Sequence, residues 1–129
     1  MVKTVTDDLI EAGEPDDPGS ALYEAEDRLR HSDVDGPEHW AALFMRGQAL
    51  ADLGRHTEAL ADYSHAAAGF VRDMDQYAAN FAVVLFQRGR SLEAIGRADV
   101  AAMDDAAALA AHPQAFMACV SQTRSGHLN

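Results

Sequence analysis

An all-α fold, an array of antiparallel helical hairpins, is what this sequence predicts, and three observations predict it. Gly47, Leu50, Gly54, Ala59 and Ala66 recur at the same spacing as Gly89, Leu92, Gly96, Ala101 and Ala108, at a constant offset of 42 residues. Arg46/Arg88, Arg55/Arg97 and Asp62/Asp104 keep the same register, so RGQALADLGRHTEALADYSHA maps onto RGRSLEAIGRADVAAMDDAAA without a gap. Periods of this size belong to helical units that stack because none buries its apolar face alone. Strand signals are missing: Val and Ile are sparse, alternation is absent, and Ala dominates the second half.

Each element follows from its punctuation. Thr4 to Ala12 is predicted as a short first helix, with Thr6, Asp7 and Asp8 as cap candidates and Gly13 as the stop. Two prolines and a glycine in Glu14–Gly19 break the chain. Ser20 is the expected cap of a second helix to about His31, with Glu24 near capping position and Leu22, Ala25 and Leu29 at helical spacing. Ser32–Pro37 breaks it again, and Pro37 suits the first turn of the next helix, where a missing N–H costs nothing. That third helix is expected over Glu38 to Leu53, stopped by Gly54. A fourth runs from Thr57, its expected N-cap, to Val71. Asp73-Met74-Asp75 is the next break, followed by helices over Gln76–Ile95 and Asp99–Ala111. Gly96 and Pro113 close these two, and Gln114 to Arg124 reads as a capping helix with Phe116, Cys119 and Val120 as its stripe.

With 129 residues and 48% hydrophobic content, one globular domain is expected over 1–129. No apolar run approaches the roughly 18 to 20 residues that span a bilayer, and the first residues lack a signal-peptide stretch, so a cytoplasmic protein is expected. Cys119 stands alone, which excludes an intrachain disulfide and a cysteine zinc cluster, and its apolar neighbours predict a buried thiol. The net charge of −11 is uneven: residues 1–39 hold 12 acids against Lys3, Arg28 and Arg30, whereas residues 40–129 hold 9 acids against 7 arginines. Such a field disfavours nucleic acid and anionic membrane as partners. It reads as a solvated acidic surface or as an N-terminal face that recruits something basic.

Within each copy, Gly47, Leu50, Gly54, Ala59, Tyr63 and Ala66, then Gly89, Leu92, Gly96, Ala101, Ala108 and Pro113, resemble the signature of the tetratricopeptide repeat family. The second copy departs at Ala98, where the first has His56, and at Asp105, where the first has Tyr63. The departure at Asp105 suggests a more exposed final hairpin. The family's usual period is shorter, about 34 residues. The extra residues here fall between Ala66 and Ala82, a longer form similar to repeats in bacterial signalling and transcriptional-regulator scaffolds. The resemblance implies a right-handed superhelical array: a degenerate first hairpin over 1–37, repeats over 38–73 and 76–113, and a capping helix over 114–125.

It also implies a concave groove lined by the first helix of each hairpin. The matching positions are Ala41, Phe44, Met45, Gln48 and Asp52, then Val83, Phe86, Gln87, Arg90 and Glu93. Phe44 and Phe86 would stack on one wall, or else pack against a neighbouring helix, while Trp40 and Phe81 are expected in the core between repeats. Two aromatics with adaptable polar groups suit a peptide or helix. One subset of the family holds acidic C-terminal tails with Lys, Asn and Arg. This chain has no lysine after Lys3, so a basic or amphipathic partner is expected instead.

No Walker loop, Rossmann fingerprint, nucleophile elbow or HExxH motif is present, so neither an enzyme nor a cofactor is expected. The six histidines are scattered without metal-ligand spacing, and no metal site is expected. Asp33-Val34-Asp35-Gly36 lacks the closing glutamate of a calcium loop and reads as a turn. Asp104 and Asp105 are adjacent, so they diverge on a helix and do not converge on a substrate. The leading expectation is an adaptor that binds a partner segment. Two alternatives stand beside it: a homodimer joined through Phe116, Met117 and Leu128, and a small-molecule sensor.

Overall fold

The computed structural model describes residues 17–128. Among them there is no strand. Six α-helices follow one another: α1 (Pro18–Arg30), α2 (Pro37–Asp52), α3 (His56–Phe70), α4 (Met74–Ala94), α5 (Ala98–Ala111) and α6 (Pro113–Leu128). A 3-10 turn, Val71–Asp73, joins α3 to α4. The helix expected over Thr4 to Ala12 and its stop at Gly13 lie outside the described residues.

Several boundaries differ from expectation, each for a local reason. The cap of α1 is Asp17 rather than Ser20: its Oδ1 accepts from the Gly19 amide at 3.1 Å and its Oδ2 accepts from the Ser20 hydroxyl at 3.0 Å. Pro18 occupies the first turn, so the helix begins three residues earlier. Thr57 lies inside the first turn of α3, and no side chain caps that helix. The break expected at Asp73–Asp75 sits at Val71–Asp73, and α4 then kinks at Tyr77 (φ −117°, ψ 20°). Trp40 packs edge-on against Phe70 and Tyr77 around this joint, and Phe70 and Tyr77 are tilted to each other, with ring centroids 5.4 to 6.0 Å apart. A Cβ on Gly69 would overlap the Trp40 indole, so the small residue is what seats it.

The two turns within the repeats are copies of each other. Gly54 (φ 82°) and Gly96 (φ 86°) are left-handed, as a helix C-terminus of this type requires. The amide of Arg55 reaches back to Leu50 at 2.8 Å, and that of Arg97 to Leu92 at 2.8 Å.

Consecutive helices pack on one another throughout. Beyond that, α2 touches α4 and α4 touches α6, whereas α1, α3 and α5 meet only their chain neighbours among the described residues. The core runs along α2, α3 and α4 through Leu43, Leu50, Tyr63, Phe70, Val84 and Leu85, with Trp40 and Phe81 packed against it. All the repeat-signature side chains at Leu50, Ala59, Tyr63, Ala66, Leu92, Ala101 and Ala108 are buried. Pro113 is exposed and opens α6.

Candidate functional site

A bidentate fork inside each hairpin fixes how the first helix faces the second. Arg46 of α2 donates to Asp62 of α3 through Nε at 2.8 Å and Nη2 at 2.9 Å. Arg88 of α4 repeats this with Asp104 of α5, both bonds at 2.8 Å. Asp62 is 4% exposed and Asp104 5%, so each carboxylate depends on its arginine for the solvation that water no longer gives. The hydrogen bonds to these carboxylates raise the arginine pKa values further above their usual range. The matching register of these four residues was visible in the sequence, but their pairing follows only once both helices are in place.

Between the forks the hairpins differ. A Cβ on Gly47 would stand 2.7 Å from the buried Tyr63 ring, so helix approach depends on this glycine. Over Gly89 the nearest atom is Asp105 Oδ1 at 3.3 Å. Asp105, where the second copy departs from the Tyr63 pattern, keeps its charge inside the hairpin. It is half-buried and accepts from Arg90 Nη2 at 2.8 Å. Arg90 also lies 4.5 Å over the Phe86 ring, and its Nε sits 3.2 Å from Glu93 Oε1 without hydrogen-bond alignment.

Of the two expectations for the aromatic pair, a groove wall or packing against a neighbouring helix, Phe86 meets the second. Phe86 is 2% exposed, covered by Phe116 of α6 in an edge-on contact at 5.9 Å and by Arg90. It offers nothing to a partner, and Arg90 is already committed to Asp105 and Glu93. Sequence reasoning set Phe44 and Phe86 as equivalents because the cover, Phe116, lies outside the repeat. Phe44 is partly buried beside Tyr63, ring centroids 5.8 Å apart.

Among the described residues, two hollows open on the α2–α4 side. One, of about 200 Å³, is apolar, lined by Ala41 and Phe44 of α2 with Ala79, Asn80 and Val83 of α4. The other, of about 360 Å³, is lined by Met45, Gln48 and Asp52 of α2, Glu24 of α1 and Gln87 of α4. Phe44 and Gln48 are one helical turn apart, as are Val83 and Gln87, so the hollows succeed one another along both helices. No lysine or arginine lines the second hollow. Burial first, and then the charges of Asp52 and Asp62, push the Tyr63 hydroxyl well above its usual pKa. Glu24 was not singled out as a groove residue. Its signal was the acidic N-terminal third, whose placement beside α2 requires the fold.

Cys119 is buried, and burial raises its thiol pKa. Of the residues expected at a dimer contact, Phe116 is spent on Phe86, Met117 is exposed, and the Leu128 side chain lies outside the described ones. Among the described residues no group of His, Cys, Asp and Glu is arranged to hold a metal ion, and no helix is long and apolar enough to cross a membrane.

The described residues are all-helical, built on a duplicated hairpin. No protein-family model matches it, and neither a curated protein nor a solved structure shows significant similarity.

Proposed function

We propose that this protein is an interaction scaffold that holds an amphipathic, basic segment of a partner protein along the seam between α2 and α4. The reading takes the hairpins as a tetratricopeptide-like superhelical array with this seam on its concave side. The contacts of α2 with α4 and of α4 with α6 support that arrangement, since they bring alternate helices to one side.

The observation that carries the function is the succession of hollows. An apolar hollow at Phe44 and Val83 leads, one turn along, into one bordered by the carboxylates of Asp52 and Glu24. A helix with an apolar anchor and a Lys or Arg one to two turns away satisfies both ends. The anchor supplies affinity through buried area, and the cation supplies orientation and on-rate.

A peptide-display selection against the full chain tests this. Enriched segments should pair an apolar anchor with Lys or Arg between i+4 and i+7. Val83→Glu should weaken a selected peptide by about tenfold or more, which is 1.4 kcal/mol. Asp52→Lys should weaken it too and flatten its salt dependence. Peptides that bind Val83→Glu and wild type alike would sink the reading.

A further inference from the structure

We infer that the hollow bordered by Glu24 and Asp52 is a binding site for an aliphatic diamine, two ammonium groups joined by a short alkyl chain. The inference concerns the polar end of the α2–α4 seam and holds whether or not a partner helix occupies the apolar end.

The hollow is built as a small-molecule site is built. Its volume is about 360 Å³, within the range of about 300 to 1,000 Å³ usual for such sites. Four helices enclose it: α1 through Ala21 and Glu24, α2 through Gln48 and Asp52, α3 through Tyr63 and α4 through Gln87. A polar group with nothing to bind faces into it. Tyr63 is 1% exposed, and its hydroxyl has no hydrogen-bond partner among the described residues. That oxygen is not sealed inside the protein, so it opens onto the hollow that Tyr63 lines. The amides of the partly buried Gln48 and Gln87 are likewise free of protein partners among the described residues. Groups so placed need an N–H or a water to satisfy them, and an ammonium brings three donors.

Charge and shape select the ligand. Both charges that border the hollow are negative. Asp52 makes no ion pair among the described residues and is the last residue of α2, where the helix carbonyls add to the negative potential. Its charge acts on the Tyr63 hydroxyl, which places the phenol end on the same side. Glu24 also accepts from Arg28 at 3.2 Å, a solvent-exposed pair of the weak kind. Two carboxylates on different helices call for two cationic centres. A metal ion is a poor fit, since among the described residues no three of His, Cys, Asp and Glu are arranged to hold one. Met45 and Ala49 line the space between, and an alkyl chain packs against them.

The second hairpin shows the equivalent place with a cation in it. At the 42-residue offset, Arg90 stands for Gln48 and Asp105 for Tyr63. The Arg90 guanidinium bonds Asp105 at 2.8 Å and lies 3.2 Å from Glu93. This side of a hairpin therefore accommodates a cation between two carboxylates. The first hairpin keeps the carboxylates without the arginine, and the ligand supplies the charge.

Isothermal titration of the full chain with diaminobutane tests the inference, with butylamine, butanediol and acetyl-lysine amide as comparators. One diamine should bind per chain, about tenfold or more tighter than butylamine, and its affinity should fall with added salt. Butanediol, of similar length but uncharged, should give no heat of binding. Gln48→Arg writes the second hairpin's own cation into the first, and should abolish binding while circular dichroism stays unchanged. Asp52→Asn, at an exposed position, should weaken binding about tenfold, and Tyr63→Phe about threefold. A wild type without saturable heat up to about 10 mM diamine overturns the inference. Undiminished binding in Gln48→Arg and Asp52→Asn, or several diamines per chain at one affinity, also overturns it and leaves a diffuse attraction to an acidic surface. Acetyl-lysine amide that binds as tightly as diaminobutane would assign the hollow to a lysine of the partner segment instead. The peptide selection scored with Val83→Glu does not depend on any of these results, so the two readings fail separately.

Discussion

The hairpin α2–α3 and the hairpin α4–α5 share a frame and differ in their filling. Both turn on a left-handed glycine, Gly54 or Gly96, and both lock with an Arg–Asp fork. Between the helices, the first places the Tyr63 ring on Gly47, whereas the second places the Arg90–Asp105 ion pair near Gly89. The difference follows from what stands next to each hairpin. The first is flanked by α4, which completes an apolar interior. The second is flanked by α6, whose Phe116 already fills the site over Phe86. Equivalent sequence positions therefore share a geometry without sharing a role. Gln48 lines an open hollow, while its counterpart Arg90 is consumed inside the protein.

The shared frame should break equally in both halves, with the largest cost. Arg46→Met and Arg88→Met each leave a buried carboxylate without its partner, and each should destabilise by about 3 kcal/mol in urea unfolding. A loss from one variant but not the other would show that the forks are not equivalent.

The filling should break unequally. Gly47→Ala drives a Cβ into the Tyr63 ring and should cost about 2 kcal/mol. Gly89→Ala meets only a carboxylate oxygen and a carbonyl at 3.3 and 3.4 Å. The gain of roughly 1 kcal/mol in helix propensity offsets that crowding, so its melting temperature should change little. Equal losses at the two glycines would refute the contrast.

Asp105→Asn should be milder, about 1 kcal/mol, because the Arg90–Asp105 pair is partly solvated. It should also slightly raise the exposure of Phe86, readable as faster hydrogen exchange at the start of α6.

The smallest effect concerns pH. Burial raises the Tyr63 pKa in the folded state, so the folded protein holds a proton that the unfolded chain releases. That contribution is complete below the ordinary tyrosine pKa of about 10 and is lost as pH rises past it. Tyr63→Phe should match wild type within about 0.5 kcal/mol at pH 7 and lose less stability between about pH 9 and pH 11. Parallel pH profiles for the two proteins would contradict the burial.

Much of the frame was legible in advance because its signals are local or periodic. Gly54 and Gly96 terminate helices through their own backbone freedom, and the 42-residue register aligned Arg46 with Arg88 and Asp62 with Asp104. The start of α1 was misplaced because Asp17 and Ser20 compete for one cap, and Asp17 binds both the amide and the Ser20 hydroxyl. The groove was half legible. Phe44, Gln48 and Asp52 line the open hollows, but the fate of Phe86 depended on Phe116, which no repeat pairs with it. The pairing of Asp105 with Arg90 was not legible, because the two residues lie 15 apart on facing helices.

One joint between the hairpins bears on how such a chain lengthens. His56 Nδ1 lies 3.1 Å from Ser91 Oγ, and Arg88 reaches across to Ser64 as well as to its own Asp104. Suppose a duplication wrote residues 46–87 twice. The inserted copy would set Arg46 where Arg88 now stands, so the arginine link to Ser64 of the preceding unit would be inherited. Ala49 would replace Ser91, however, and the histidine of that preceding unit would lose its hydroxyl. One inherited bond and one lost bond make a seam that accepts the growth and remains softer than its neighbours, the place where a longer descendant would first come apart.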